Sequence, residues 1–193
     1  MLIIYRHKSV LIEGDMDELD EKAIAALLDK DAIRDCMARY CRGIDRRDEA
    51  MLRSAYWPGA SDHHGPYVGD AEGFIAWALE GLTKNHGSVH TTGTQLIDLK
   101  GNKAAVETYF FALQRTEDND GTQNEVALWG RYLDVFEKRT GEWRIAERTV
   151  VYDWMDDIGN VDGKHESRFG PRTPLGRQAP HDPLYEFLSR VLD

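Results

Sequence analysis

Two residues in this sequence have the type and setting for proton-transfer chemistry. Asp45 stands in Gly43-Ile44-Asp45-Arg46-Arg47, at the end of a helical pattern, where the negative end of the helix dipole disfavours a carboxylate by about 0.3–1 kcal/mol. On the helical wheel it borders the apolar stripe beside Cys41. An acid held at a disfavoured position next to a core is a candidate for a tuned acid or for the group that orients a histidine. The alternative is a rim carboxylate paired with Arg42 or Arg46. His90 is the second residue. It lies in His86-Gly87-Ser88-Val89-His90-Thr91-Thr92, where alternation places Ser88, His90, Thr92 and Thr94 on one strand face, followed by Leu96. A polar ladder of this kind suits a pocket wall better than a core. His86 and His90 would make a metal pair on a helix, but four residues of strand span roughly 13 Å, too far for one ion. No metal is therefore expected. His63 and His64 point to opposite faces of an extended segment, so one at most could serve a site, and both read as solvated loop histidines.

Other candidates follow from position. Tyr40 lies in the helical stripe before Asp45, and its hydroxyl would need a partner. Arg148 and Arg131 sit between apolar neighbours in late strands, where an inward guanidinium could neutralise an anion; the alternative is a cross-strand pair with Glu107, Glu125 or Glu147. Of the five tryptophans, Trp57, Trp77 and Trp129 are read with Tyr109 as possible walls for a flat apolar ligand, and the others as core. Cys36 and Cys41, five apart on a helix, diverge too far to bridge easily and read as small hydrophobes. There is no phosphate-binding glycine loop, nucleophile elbow or zinc spacing, so the expected pocket works without a cofactor.

The elements that must position these residues are helices first and strands after. Ile33, Cys36, Met37, Tyr40, Cys41 and Ile44 form one stripe of a helix over about 18–47. A short helix over about 48–56 follows, then a small hairpin at 61–68 and a third helix capped by Asp70. After Asn85 the period changes to two, predicting strands near 88–99, 103–114, 125–138 and 143–153, with tight turns at Lys100-Gly101-Asn102 and Thr140-Gly141. Helices followed by a meander of long strands predict an α+β fold, a bent antiparallel sheet closing over the helices around a conical pocket. Residues 1–16 read as an extension, 17–157 as the domain and 158–193 as a loop-rich tail with an amphipathic piece at 182–192.

Composition sets the outer limits. The 193 residues carry 24 Lys+Arg and 34 Asp+Glu, a net charge of −10. That balance argues against nucleic acid and against an anionic membrane surface. No apolar run reaches the roughly 18 residues of a spanning helix, so a cytoplasmic location is expected.

The segments Asp31 to Asp48, Ser88-Val89-His90, Gly101 to Tyr109, and Gly130-Arg131-Tyr132 through Ile145 resemble the SnoaL-like branch of the nuclear transport factor 2-like superfamily. The resemblance implies a curved sheet wrapped around helices, a cone-shaped cavity and a homodimer or homotrimer. In its dehydratase and dehydrochlorinase branches an Asp closing the first helix pairs with a His on the first long strand, and Asp45 and His90 match these. Tyr40 matches a tyrosine of the bile-acid dehydratase branch, and Arg148 a late-strand arginine. The expectation is a cofactor-independent lyase or dehydratase acting on a hydrophobic, aromatic small molecule. Isomerase or cyclase chemistry on the same dyad, a ligand-binding or assembly module, and a dioxygenase small subunit are the alternatives.

Overall fold

The computed structural model describes residues 18–118, 120–160, 174 and 176–192; the N-terminal extension expected at 1–16 lies outside them. The chain runs α1 (Glu18–Arg46), α2 (Glu49–Ser54), β1 (Tyr56–His64), β2 (Tyr67–Asp70), α3 (Ala71–Gly81), a 3₁₀ turn (Leu82–Lys84), β3 (Asn85–Lys100), β4 (Lys103–Glu117), β5 (Gln123–Arg139), β6 (Glu142–Asn160) and α4 (Pro183–Leu192). The predicted α+β architecture is present. The sheet has the order β2-β1-β6-β5-β4-β3 and is strongly curved but not closed. It is also mixed, because β1 runs parallel to β6 while every other neighbour is antiparallel. The small hairpin β1–β2 thus joins the main sheet as its edge.

The apolar stripe of α1 does what its spacing demands: Ile33, Cys36, Met37, Tyr40 and Ile44 are all buried against the sheet. Both cysteines are free thiols. The helix ends sharply. Arg47 takes a left-handed φ of 50°, while Arg47 N–H donates to the Ile44 carbonyl (3.3 Å) and Asp48 N–H to the Gly43 carbonyl (2.9 Å). This double closure is a Schellman arrangement, and it leaves Asp45 in the final helical turn. Asp48 then caps α2 by accepting from Met51 N–H at 3.0 Å. Gly43 is required here, since a Cβ would lie 2.6 Å from the Leu52 backbone nitrogen where the two helices meet.

The C-terminal segment fastens the same junction. Ala179 N–H donates to the Arg46 carbonyl (2.7 Å), an acceptor that α1 itself cannot satisfy. Asp182 pairs with Arg46 at 3.2 Å and accepts from the Arg177 and Leu184 amides. Tyr185 donates to Asp48 at 2.7 Å.

A fully buried ion pair sits between α1 and the sheet. Arg148 of β6 donates from Nε and Nη2 to the two oxygens of Asp134 on β5, each at 2.7 Å. Its guanidinium carbon lies 4.1 Å from the Tyr40 ring centre and 4.2 Å from that of Tyr132. Removing one buried partner strands the other's charge, at a cost of about 3–5 kcal/mol, whereas replacing both by apolar groups can be close to neutral. Arg148→Ala should therefore lose that amount in denaturant unfolding, and Arg148→Met combined with Asp134→Leu should recover most of it. A double variant no more stable than the single one would contradict this account.

Candidate active site

Asp45 and His90 meet. The Asp45 Oδ1 lies 2.6 Å from His90 Nδ1, and Oδ2 accepts the His90 backbone N–H at 2.9 Å. Their side chains are 11% and 6% exposed, so the contact is largely shielded from water. One carboxylate thus fixes both the ring and the strand that carries it. With Nδ1–H donated to the carboxylate, the Nε2 lone pair is the ring's free basic position. No described residue holds that nitrogen by a hydrogen bond.

His90 opens onto a cavity of about 340 Å³ between α1, α3, β1 and the inner faces of β4–β6. Its walls are mainly aromatic: Tyr40, Phe74, Trp77, Phe110, Tyr132 and Tyr152, with Gln114, Thr116 and His64 as polar members. Phe110 stacks on Tyr132 at 4.4 Å, and Tyr132 meets Tyr40 edge-on at 5.6 Å. Burial pushes the Tyr40 phenol far above its ordinary range, so it remains a neutral hydroxyl. On the other side of Asp45 lies a wider groove of about 780 Å³, lined by Arg46, Arg115, Arg177 and His181 among others.

The remaining expected site residues divide cleanly. Tyr40 and Trp77 line the cavity, Trp77 while 42% exposed. Arg148 does not. It lies behind Tyr40 and Tyr132, bound to Asp134, and one of its nitrogens, Nη1, is buried without a partner. Tyr109, Trp129 and Arg131 are on the outer face of the sheet. Strand parity places them opposite to the inward Phe110 and Tyr132, and Arg131 pairs there with Glu107 (2.9 Å) and Asp153 (2.8 Å). Trp57 is held at the far end of β5, donating to the Glu137 carbonyl at 2.8 Å beneath the guanidinium groups of Arg139 and Arg144. The polar ladder of β3 is also shorter than alternation predicts. Thr92 and Thr94 are exposed, and the pairing with β4 shifts register between Thr92 and Gln95, so beyond it Leu96 is 60% exposed while Ile97 turns inward.

His64 is the site residue that sequence reading missed. It ends β1 and is half-buried, with Nδ1 3.1 Å from Asp62 Oδ1 and its ring stacked on Phe74 at 4.5 Å. The overlooked signal is Asp62-x-His64, two residues that share one strand face. His63 faces solvent. Among the described residues no group of three or more His, Cys, Asp and Glu is placed to hold a metal ion. No helix among them is long and apolar enough to cross a membrane.

Burial lowers the His64 pKa below its ordinary 6.5, with Asp62 opposing the shift. The unfolded chain therefore takes up this proton first, and folding stability should decline as pH falls through 6.5. Melting temperatures between about pH 7 and pH 5 should show this decline in the wild type and a flatter curve in His64→Gln. Identical slopes would contradict it.

A SnoaL-like domain model matches residues 25–149. A scytalone dehydratase-like protein of Novosphingobium aromaticivorans superposes with a TM-score of 0.64 at 21% identity, covering 73% of this chain and 97% of that one. The hexachlorocyclohexane dehydrochlorinase LinA-type3 of Novosphingobium barchaimii gives 0.62 at 16% identity, covering 70% and 94%. The beta subunit of an aromatic-ring-hydroxylating dioxygenase-like protein of Novosphingobium aromaticivorans gives 0.54 at 24% identity, covering 67% and 92%. No curated protein is significantly similar in sequence.

Proposed function

The chain belongs to the SnoaL-like domain family, and we propose that within it this protein is a cofactor-independent lyase that eliminates a small group from a hydrophobic, aromatic substrate. One observation carries the reading: the Asp45 carboxylate grips both the ring and the backbone of His90 at the wall of an aromatic cavity. In this mechanism the substrate enters with an acidic C–H near His90 Nε2. The lone pair takes the proton, Asp45 stabilises the imidazolium so formed, and the freed electron pair makes a double bond as the leaving group departs. The rings of Phe74, Phe110, Tyr132 and Trp77 supply a low-dielectric wall that suits a flat apolar skeleton, and the cavity is of small-molecule size. The Tyr40 hydroxyl is a neutral donor for a developing oxyanion or leaving group. Arg148 acts only by holding Tyr40 and Tyr132 in place.

A second reading, an assembly subunit, is favoured by the outer face of the sheet, where Tyr109, Trp129 and Trp154 are 39–66% exposed. The same face supports self-association as a dimer or trimer. Co-purification of a larger partner subunit would favour the assembly role.

The decisive assay follows formation of a conjugated product by ultraviolet absorbance across aryl-substituted β-hydroxy compounds. His90→Gln should lower turnover by about 10² to 10⁴ with the fold intact. Asp45→Asn should give a loss that overlaps with that of His90→Gln, because residues acting as one unit are non-additive. Undiminished turnover by His90→Gln would retire the mechanism.

A further inference from the structure

We propose that His64, oriented by Asp62, is a second proton-transfer residue of the same cavity, the acid that protonates the departing group while His90 removes the proton. This rests on the lyase reading of the Asp45–His90 pair.

The arrangement around His64 repeats that around His90. Each ring gives Nδ1 to a carboxylate, and each carboxylate uses its other oxygen elsewhere: Asp45 on the His90 amide, Asp62 on the Tyr56 hydroxyl at 2.6 Å. Asp62 is 1% exposed, so its orientation is set by the packing of β1 rather than by solvent. The ring is clamped flat against Phe74, with an interplanar angle of 21°. Only Nε2 remains free of the described hydrogen bonds.

Topology then brings the two pairs together. His90 is on β3, one edge of the sheet, and His64 is on β1, separated from it in the sheet by β6, β5 and β4. Curvature makes both line one cavity, from different sides. A histidine serving only to satisfy Asp62 would not need to reach this wall, since Tyr56 already donates to that carboxylate. Burial acts most strongly on His64 and opposes its charged form; Asp62 favours that form, while Arg148 opposes it, as would His90 on taking up a proton. The protonated ring is accordingly a stronger acid than free imidazolium, which suits donation to a poor leaving group.

For a β-hydroxy ketone the step balances as follows. His90 Nε2 takes the proton beside the carbonyl, the C–H pair becomes the C=C bond, and the C–O bond breaks with its electrons on oxygen. The His64 imidazolium gives its Nε2 proton to that oxygen, releasing water. His90 ends protonated and His64 neutral, and solvent proton exchange restores both.

The test compares two substrates with one carbon skeleton, a β-hydroxy aryl ketone and its β-acetoxy counterpart, which yield the same enone. Acetate leaves without a proton, whereas hydroxide does not. His64→Gln should lower kcat/KM for the hydroxy substrate by about 10² to 10⁴ and leave the acetoxy substrate nearly unchanged. Asp62→Asn, a change at a positioning residue, should show the same selectivity with a smaller loss. His90→Gln should lose both substrates. If the His64 variant does not fold, the wild type supplies the readout: a solvent deuterium isotope effect on the hydroxy substrate that the acetoxy substrate lacks. Equal losses on both substrates, no loss on either, or equal isotope effects would overturn the role of His64 alone. Failure of the wild type to convert either substrate, or full activity of His90→Gln, would overturn the lyase reading and this inference with it.

Discussion

The bond between Asp45 and the His90 backbone amide is the constraint on which the site depends. It joins the last turn of the first helix to the edge strand of the sheet, residues 45 apart in the chain. A carboxylate at that helix position works against the dipole, and two hydrogen bonds from His90 offset the penalty. Because both oxygens are engaged, neither the ring nor the strand can rotate away independently. The orientation of the His90 ring and the attachment of strand to helix are therefore one interaction. The surrounding chain reinforces it: the left-handed turn at Arg47 ends α1 on cue, and the C-terminal segment captures the freed Arg46 carbonyl.

Behind the cavity, a second constraint acts on its walls. The Arg148 guanidinium fills the space between the Tyr40 and Tyr132 rings and is neutralised by Asp134. An aliphatic side chain there would pack against the two rings but could not attract their faces as a cation does. Its charge is buried where no substrate reaches, so it contributes stiffness. The unpartnered Nη1 shows that even a bidentate pair does not satisfy a guanidinium completely in such a site.

The helices, the long strands and their tight turns were legible because periodicity carries them: 3.6 over Ile33 to Ile44, two over β4 to β6. The Asp45–His90 proximity was legible through resemblance together with the odd placement of each residue. Facing was not. Arg131, Trp129 and Tyr109 are flanked by residues of the buried face, and only the absolute parity of β4 and β5 shows that they point outward. The irregularity between Thr92 and Gln95 similarly inverted half of β3, and its one sequence signal, Gly93 inside the strand pattern, does not say which residues it turns over. For Arg148 an inward anion site and a cross-strand pair were both open from the sequence; the side chain is buried behind the cavity wall in a cross-strand pair, with Asp134 as the partner. His64 was hidden by its neighbours, since Gly65-Pro66 reads as a loop and its strand pairs with β6, 86 residues later in the chain for both Asp62 and His63.

That non-local pairing explains how a single sheet can present two histidines to one cavity. A flat sheet would separate β1 from β3 by four strand spacings, close to 19 Å at about 4.8 Å each, too far for one small molecule to touch both. Curvature around α1 and α3 shortens the chord, and the mixed topology allows β1 to enter beside β6 instead of extending the meander beyond β3. The same bending that encloses the aromatic cavity also sets two imidazole rings on different sides of it. One ring is anchored by the end of a helix and the other by a neighbour on its own strand. Their surroundings therefore differ although their partners match, and unequal surroundings are the condition under which two chemically identical groups would take the opposite parts proposed for them.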